Sequence, residues 1–236
     1  MLRRSREGGV LVLTIDRQEK KNALTLAMRQ EIERLPGDVN DDPSVRAVVL
    51  TATEPVFCAG ADLKELADLS DPPLTRPGAG LRAIAKPTIA SVGGPCVTGG
   101  LELALSCDFI VASDRARFAD THAKIGVLPR WGMSALLPRR IGVARAKEIA
   151  FSGRWVDAEE AERIGLVNRV FAHADLRAET IALATQIASN PPRAVVATGN
   201  LLDRGEGLPL ADALTLEDEV GGAFRVDPND LRPRRP

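Results

Sequence analysis

Short apolar runs recur along the first half of the chain. Four of them are nearly unbroken over four to six residues: VLVLTI (10–15), AVVLTA (47–52), TIASV (88–92) and FIVA (109–112). Runs of this kind are typical of strands that are buried on both faces of a sheet. The pattern therefore predicts a sheet with other elements packed on both of its sides.

A helical period separates the first two runs. In TLAMRQEIERL (25–35), the apolar side chains of Met28, Ile32 and Leu35 share one face, and Thr25 is placed to cap the helix. A strand, a helix and a second strand in this order are typical of α/β folds.

The second half of the chain is mostly helical in its pattern. Asp157 and Glu160 have the spacing of a capping box, and NRVF (168–171) predicts one last strand. Three helical stretches follow between residues 174 and 224, separated by NPP and RGEG. We therefore predict an α/β core over residues 1–172 and a helical region over residues 173–236.

Composition narrows the classes of function. The 236-residue chain has a formal net charge of −1, two Trp, six Phe and no Tyr, which disfavours a nucleic-acid surface. Its three cysteines lack CxxC spacing, so we expect no metal site and a reducing compartment, the cytoplasm. The first apolar run is too short for a signal-peptide core or a membrane span. We expect no nucleic-acid partner and no membrane.

Two turns rich in glycine and alanine carry the candidate chemistry. In VFCAGADLKEL (56–66) and PCVTGGLELALSCD (95–108), small residues lead directly into a helix. Backbone N–H groups at a helix start lack an intrahelical partner and can hold an oxygen that gains negative charge. Taken alone, the first turn also fits an ordinary connection capped by Asp62.

Glu102 is a carboxylate in the apolar run after the second turn. Burying such a charge is costly, whereas the start of a helix favours it by about 0.3–1 kcal/mol. Two interpretations stay open from the residues alone. Glu102 either satisfies the free N–H groups of its own helix or does acid–base chemistry.

Five segments in this order resemble the crotonase, or enoyl-CoA hydratase/isomerase, superfamily. They are DRQEKKNALT (16–25), FCAGADLKEL (57–66), KPTIASVGGPCVTGGLELALSCDFIVAS (86–113), RFADTHAKIGVLPRWG (117–132) and RWVDAEEAERIGLVNRV (154–170). The resemblance implies a crotonase-like spiral of ββα units followed by a helical C-terminal region with a shortened tail. It also implies a homotrimer or a dimer of trimers.

The resemblance further implies an enzyme that binds an acyl-CoA thioester and stabilises an enolate at its carbonyl. The two backbone N–H donors correspond to Ala61 and Gly99, and Glu102 corresponds to one of two glutamates that position the added water. The family implies no metal and no separate cofactor, because coenzyme A is part of the substrate. The residues that correspond to the substrate- and CoA-binding segments are Ala59, Ala61, Asp62, Leu63, Lys64 and Gly99.

The chain departs from the family pattern at the second glutamate, whose position is occupied by His122. A histidine can donate or accept a proton, so Glu102 and His122 together allow hydration. A His122 that only packs in a turn is the alternative. Asp120 lies nearby in the sequence, but its offset does not match the missing glutamate.

A second departure replaces small residues beside the acyl pocket. Where the family has P-G-x-G-G, this chain has PRWGM, in which Arg130 and Met133 stand for glycines and Trp131 adds a large ring. We expect Trp131 to contact the substrate and reshape the pocket, and Arg130 to meet an acidic acyl group or point to solvent. The connection 66–87 is rich in Pro and Gly, and we expect it to be mobile.

These observations predict an enoyl-CoA hydratase-like enzyme that adds water to a trans-2-enoyl-CoA thioester. Because His122 replaces a glutamate, another reaction of the family stays open, namely isomerisation, hydrolysis or decarboxylation. A non-catalytic acyl-CoA binding protein is the alternative outside enzymes.

Overall fold

Two sheets are formed within residues 1–67 and 74–231, the part of the chain that the computed structural model describes. Their strands are β1 (Leu2–Glu7), β2 (Val10–Ile15), β3 (Ala47–Ala52), β4 (Thr88–Val92), β5 (Pro95–Val97), β6 (Phe109–Ser113), β7 (Arg117–Ala119), β8 (Val156–Asp157) and β9 (Arg169–Phe171). The larger sheet has the order β1–β2–β3–β4–β6–β9, in which only the β1–β2 pair is antiparallel. The smaller sheet has the order β5–β7–β8.

Helices connect and cover these strands. They are α1 (Leu26–Asn40), α2 (Leu63–Ala67), α3 (Pro77–Arg82), α4 (Gly99–Leu105), α5 (Met133–Ile141), α6 (Val143–Ser152), α7 (Ala158–Arg163), α8 (Leu176–Ser189), α9 (Pro192–Gly205) and α10 (Leu210–Ala223). Short 3₁₀ turns span Gln18–Lys20, Ala123–Ile125 and Pro228–Leu231. The predicted α/β fold with a helical C-terminal region is confirmed.

The four apolar runs form β2, β3, β4 and β6, as predicted. Alternate side chains such as Leu13 and Leu50 enter the main core, while their neighbours, such as Val12 and Val49, pack under α8. Full burial of a side chain of this size contributes about 1.5–3 kcal/mol. Burial on both faces explains why these strands show no polar alternation.

Helix α1 begins where the sequence predicts but ends later. The Thr25 hydroxyl accepts a hydrogen bond from the Met28 N–H at 3.2 Å, which confirms the cap. The helix continues past Pro36 to Asn40, although an interior proline removes one backbone hydrogen bond. Val39 is buried in the core beyond the proline, and its packing favours the longer helix.

Strand β1 was not predicted from the sequence. Its residues, LRRSRE, are polar except for Leu2, which is the one fully buried side chain of the strand. The strand lies at the edge of the larger sheet, where it pairs only with β2. An edge strand with little burial has no apolar periodicity that a sequence can show.

The C-terminal part forms the three predicted helices, which differ in their packing. Helix α8 lies across β2, β3, β4 and β6 and closes that face of the sheet. Helices α9 and α10 pack on each other, and Leu216 is the buried side chain among their described residues. The boundary between residues 172 and 173 stays a prediction.

Only part of the connection 66–87, which the sequence predicts to be mobile, lies within the described residues. Residues 68–73 lie outside them, while Pro77–Arg82 form α3. No helix within residues 1–67 and 74–231 has the length and apolar character that crossing a membrane requires.

The two small-residue turns pack backbone against backbone. Gly60 has a φ of +93°, and a Cβ atom placed on it would lie 3.1 Å from the Gly99 nitrogen. A Cβ atom on Gly99 would lie 3.1 Å from the Gly60 Cα atom. Next to this contact, the Val97 N–H donates to the Cys58 carbonyl at 3.0 Å. Only residues without side chains fit where the two turns meet.

Gly60→Ala is expected to lower the free energy of unfolding by about 1–3 kcal/mol, because alanine must adopt a positive φ there and crowd Gly99. Gly37→Ala is the matched control. Gly37 lies inside α1 with open space where a Cβ would stand, so alanine should stabilise the helix by about 0.5–1 kcal/mol. Urea unfolding measures both changes. Equal stabilities of the two variants would contradict the close approach of the turns.

Candidate active site

A cavity of about 730 Å³ lies where the two turns meet the segment before α5. This volume is within the range of small-molecule sites. The structure brings most of the predicted site residues to its wall, although they come from four separate segments. They are Ala59, Ala61, Leu63, Gly99, Glu102, His122 and Trp131.

Asp62 and Lys64 do not line this cavity. The Asp62 carboxylate accepts a hydrogen bond from the Lys64 N–H at 3.0 Å at the start of α2 and lies 2.6 Å from the Arg17 guanidinium. The hydrogen bond from Arg17 lowers the pKa of the Asp62 carboxyl. The capping role of Asp62 is therefore confirmed, and the CoA-binding role of Asp62 and Lys64 stays a prediction.

The backbone N–H groups of Ala61 and Gly99 have no hydrogen-bond partner among residues 1–67 and 74–231. On either side of Ala61, the Leu24 N–H donates to Gly60 and the Asp62 N–H donates to Leu24, which turns the Ala61 amide to the opposite side. Gly99 is the first residue of α4, where an N–H has no intrahelical acceptor. Both residues line the cavity, and the role of their amides in holding an oxygen stays a prediction.

Thr98 holds the second turn in a strained conformation that the sequence analysis missed. Its φ is +53°, which is rare for a β-branched residue and costs about 1–3 kcal/mol. The Thr98 N–H donates to the Ala119 carbonyl at 2.9 Å, and its hydroxyl accepts from the Thr121 N–H at 3.2 Å. These bonds fix the backbone just before Gly99 and so orient the amide of Gly99.

Glu102 is 2% exposed, and its carboxylate is satisfied by another helix. Its Oε1 atom accepts hydrogen bonds from the Trp131 N–H at 2.8 Å and the Met133 N–H at 3.1 Å, at the start of α5. The interpretation in which Glu102 satisfies its own helix is therefore wrong. Its side chain points toward α5, whose first N–H groups have no intrahelical acceptor.

The second carboxylate oxygen of Glu102 faces His122, which in turn contacts Asp120. The Glu102 Oε2 atom lies 3.5 Å from the His122 Nε2 atom, and the His122 Nδ1 atom lies 2.6 Å from the Asp120 Oδ1 atom. Burial disfavours the charged ring, but the hydrogen bonds to Asp120 and Glu102 outweigh it and raise the pKa of His122 to about 9. The structure thus places His122 beside Glu102. Asp120, which the sequence analysis set aside because of its offset, contacts the other nitrogen of the same ring.

Arg82 and Trp131 are linked to each other near Glu102. The Arg82 guanidinium donates to the Ser106 hydroxyl at 3.0 Å and to the Trp131 carbonyl at 3.3 Å. Burial lowers the pKa of Arg82, and the charge of Glu102 partly opposes this. The Trp131 ring lies against Gly99, where a Cβ atom would come within 2.5 Å of it. Arg82 was missed because its helix carries no family motif.

The raised pKa of His122 predicts a pH-dependent stability. The pKa in the folded chain, about 9, is above the ordinary 6.5, so the stabilisation is complete below about pH 6.5 and is lost as the pH rises toward 9. We expect the difference in unfolding free energy between the unmodified protein and His122→Gln to shrink over this range. Urea unfolding at pH 6, 7.5 and 9 measures it, with His173→Gln as the control. A difference that is constant with pH would contradict the charged ring.

Comparison with known proteins agrees with this fold and site. The sequence model of the Enoyl-CoA hydratase/isomerase family matches residues 5–226. A short-chain-enoyl-CoA hydratase of Clostridium acetobutylicum is 36% identical over 225 residues, which cover 92% of this chain and 86% of that protein. A mevalonyl-coenzyme A hydratase of Aspergillus fumigatus is 42% identical over 196 residues, which cover 80% of this chain and 73% of that protein.

The fold is likewise similar to solved structures. The crystal structure of an enoyl-CoA hydratase from Bacillus anthracis superposes with a TM-score of 0.88 at 32% identity, over 94% of this chain and 89% of that one. The match in sequence over nearly the whole length and the match in fold agree with the five motifs. The chain belongs to the enoyl-CoA hydratase/isomerase family, within the crotonase superfamily.

Proposed function

We propose that this protein adds water across the double bond of a trans-2-enoyl-CoA thioester. One observation carries the proposal: Glu102, Ala61 and Gly99 line the same cavity, and within the described residues the N–H groups of Ala61 and Gly99 have no partner. Hydration needs both parts, because the thioester carbonyl must take up charge while a base activates water.

The two amides act on the thioester oxygen. When water attacks the β-carbon, electrons move onto this oxygen, and donors that are already in place stabilise the enolate without reorganisation. A single donor of this kind is worth about 2.7–4 kcal/mol of transition-state stabilisation. The close packing of Gly60 on Gly99 holds the two turns that supply the donors.

Glu102 and His122 divide the proton transfers. The water oxygen bonds to the β-carbon while Glu102 takes one water proton, and the α-carbon receives the Nε2 proton of a charged His122 ring. A proton that passes from Glu102 to His122 across their 3.5 Å separation restores both groups. The raised pKa of His122 supports this division, since the ring is protonated at neutral pH and Glu102 can serve as the base.

The acyl group is inferred to be short. The Trp131 ring lies against Gly99 and occupies the cavity wall where the family has small residues. The Clostridium acetobutylicum relative is named for short-chain enoyl-CoA. Coenzyme A enters as part of the substrate, and the proposed steps use no metal.

Glu102→Gln is expected to lower kcat by about 10²–10⁴-fold, because glutamine cannot take the proton of water. The amide oxygen can still accept from Trp131 and Met133, so the fold should persist. The assay follows loss of the enoyl absorbance of crotonyl-CoA and confirms 3-hydroxyacyl-CoA by mass spectrometry. Glu148→Gln, at the surface, is the control. An unmodified protein that forms no 3-hydroxyacyl-CoA from any chain length would remove the hydratase proposal.

Double-bond isomerisation is the second candidate. Glu102 and His122 lie side by side on the cavity wall, so they can move one proton between two carbons without added water. The family model covers both reactions. A 3-enoyl-CoA substrate separates them, because isomerisation leaves the mass unchanged and hydration adds one water.

Self-association through the C-terminal helices is proposed as well. Leu202, Leu210 and Leu214 are exposed on α9 and α10, and burying such side chains between copies is favourable. We infer a homotrimer or a dimer of trimers. Light scattering after size exclusion should give three or six times 25.2 kDa, and Leu210→Glu should lower the mass. A monomer at micromolar concentration would contradict the proposal.

The cytoplasmic location stays a prediction.

A further inference from the structure

Asp120 does not line the cavity, yet it is buried beside it. We propose that Asp120 is a positioning residue that holds the His122 ring with Nε2 directed at Glu102 and keeps that ring a proton donor. The consequence for catalysis rests on the function proposed above, whereas the geometry and charge of the ring are measurable without turnover.

The Asp120 carboxylate fixes His122 at two points. Its Oδ1 atom accepts a hydrogen bond from the His122 backbone N–H at 3.1 Å and lies 2.6 Å from the ring Nδ1 atom. The first contact is a local side-chain to backbone bond across two residues, as in an Asx turn. The second sets the rotation of the ring, because a ring turned over would lose this bond.

The two contacts of the His122 ring favour its doubly protonated form. Both ring nitrogens face carboxylate oxygens, Nδ1 toward Asp120 and Nε2 toward Glu102. Ionised carboxylates only accept hydrogen bonds, and a neutral imidazole has one N–H. With both carboxylates ionised, a neutral ring would set a lone pair against one of them, whereas the imidazolium presents an N–H to each. Asp120 is the partner that occupies Nδ1 and leaves the Nε2 proton for the cavity side.

The charges around the ring favour the same state. Glu102 comes from α4 and Asp120 directly follows β7, and both are buried carboxylates. Two nearby cations have other partners: the Lys124 ammonium donates to the Gly153 carbonyl at 2.7 Å, and Arg82 is bound to Ser106 and Trp131. Arg29 and Arg130 line the same cavity as His122, and Arg29 donates to the Thr75 hydroxyl at 3.1 Å. The direction of the His122 pKa, raised to about 9, agrees with two carboxylates acting on one ring.

The first test reads the ring directly by nitrogen-15 NMR of histidine-labelled protein. The chain has two histidines, so His173→Gln assigns both spectra. We expect both ring nitrogens of His122 to stay protonated to about pH 8, and Asp120→Asn to lower its titration midpoint by about 1–3 pH units. Asp114→Asn is the matched control, because Asp114 accepts the His173 backbone N–H at 3.1 Å and should leave His122 unchanged.

The second test is the pH profile of the reaction. Because Asp120 lies outside the cavity wall, Asp120→Asn should lower kcat with little change in KM. The alkaline limb of the kcat/KM profile, which reports on the free enzyme as the NMR titration does, should move to lower pH by the same interval as the NMR midpoint. At a pH above that limb, a pKa of His122 that is lower by one leaves the variant with about a tenth of the protonated His122 that the unmodified protein has, and the rate falls by the same factor. A residue with a merely structural role would not move the limb.

The outcomes separate this proposal from the hydratase proposal. An unmodified protein whose His122 titrates at or below pH 6.5 would overturn the positioning role, and this measurement needs no variant if Asp120→Asn fails to fold. An Asp120→Asn variant whose His122 titration is unchanged would also overturn the positioning role. If the His122 titration midpoint is high and depends on Asp120, but the protein shows no turnover, the positioning role is upheld and the proposed reaction is contradicted.

Discussion

The contact between Gly60 and Gly99 is the constraint on which the site depends. The two turns approach so closely that a Cβ atom on either glycine would crowd the other backbone. The contact brings Ala61 to the same cavity as Gly99, although more than 30 residues of chain separate the two. It also fixes the start of α4, and hence the position of Glu102.

The remaining architecture makes a buried charge tolerable. Glu102 is an isolated carboxylate in an apolar helix, and burial of that charge would cost several kcal/mol without partners. The Trp131 and Met133 amides hold one of its oxygens, and His122 faces the other. Because the amides lie just before and at the start of α5, the helix is aligned by the same carboxylate that the proposed reaction uses.

The sequence predicts the elements whose burial is periodic and misses those whose role depends on distant partners. Strands β2 and β3 were found to the residue because they are buried on both faces, and the family motifs located the cavity residues. Strand β1 has no apolar pattern to read. The bonds from α5 to Glu102 join residues about 30 positions apart, and no local pattern encodes them. Asp120 was set aside because it was compared with a glutamate position, not with the ring of His122.

The polar character of β1 also bears on how the open edge of the larger sheet avoids pairing with a further strand. An open sheet edge presents unpaired backbone groups that can recruit another strand and start aggregation. Here the outermost strand carries Arg3, Arg4 and Arg6, and Arg4 pairs with Asp38 of α1 at 2.8 Å. An approaching strand would have to displace these charged side chains from water. The same polarity that hides β1 from sequence prediction therefore protects the sheet against edge-to-edge growth.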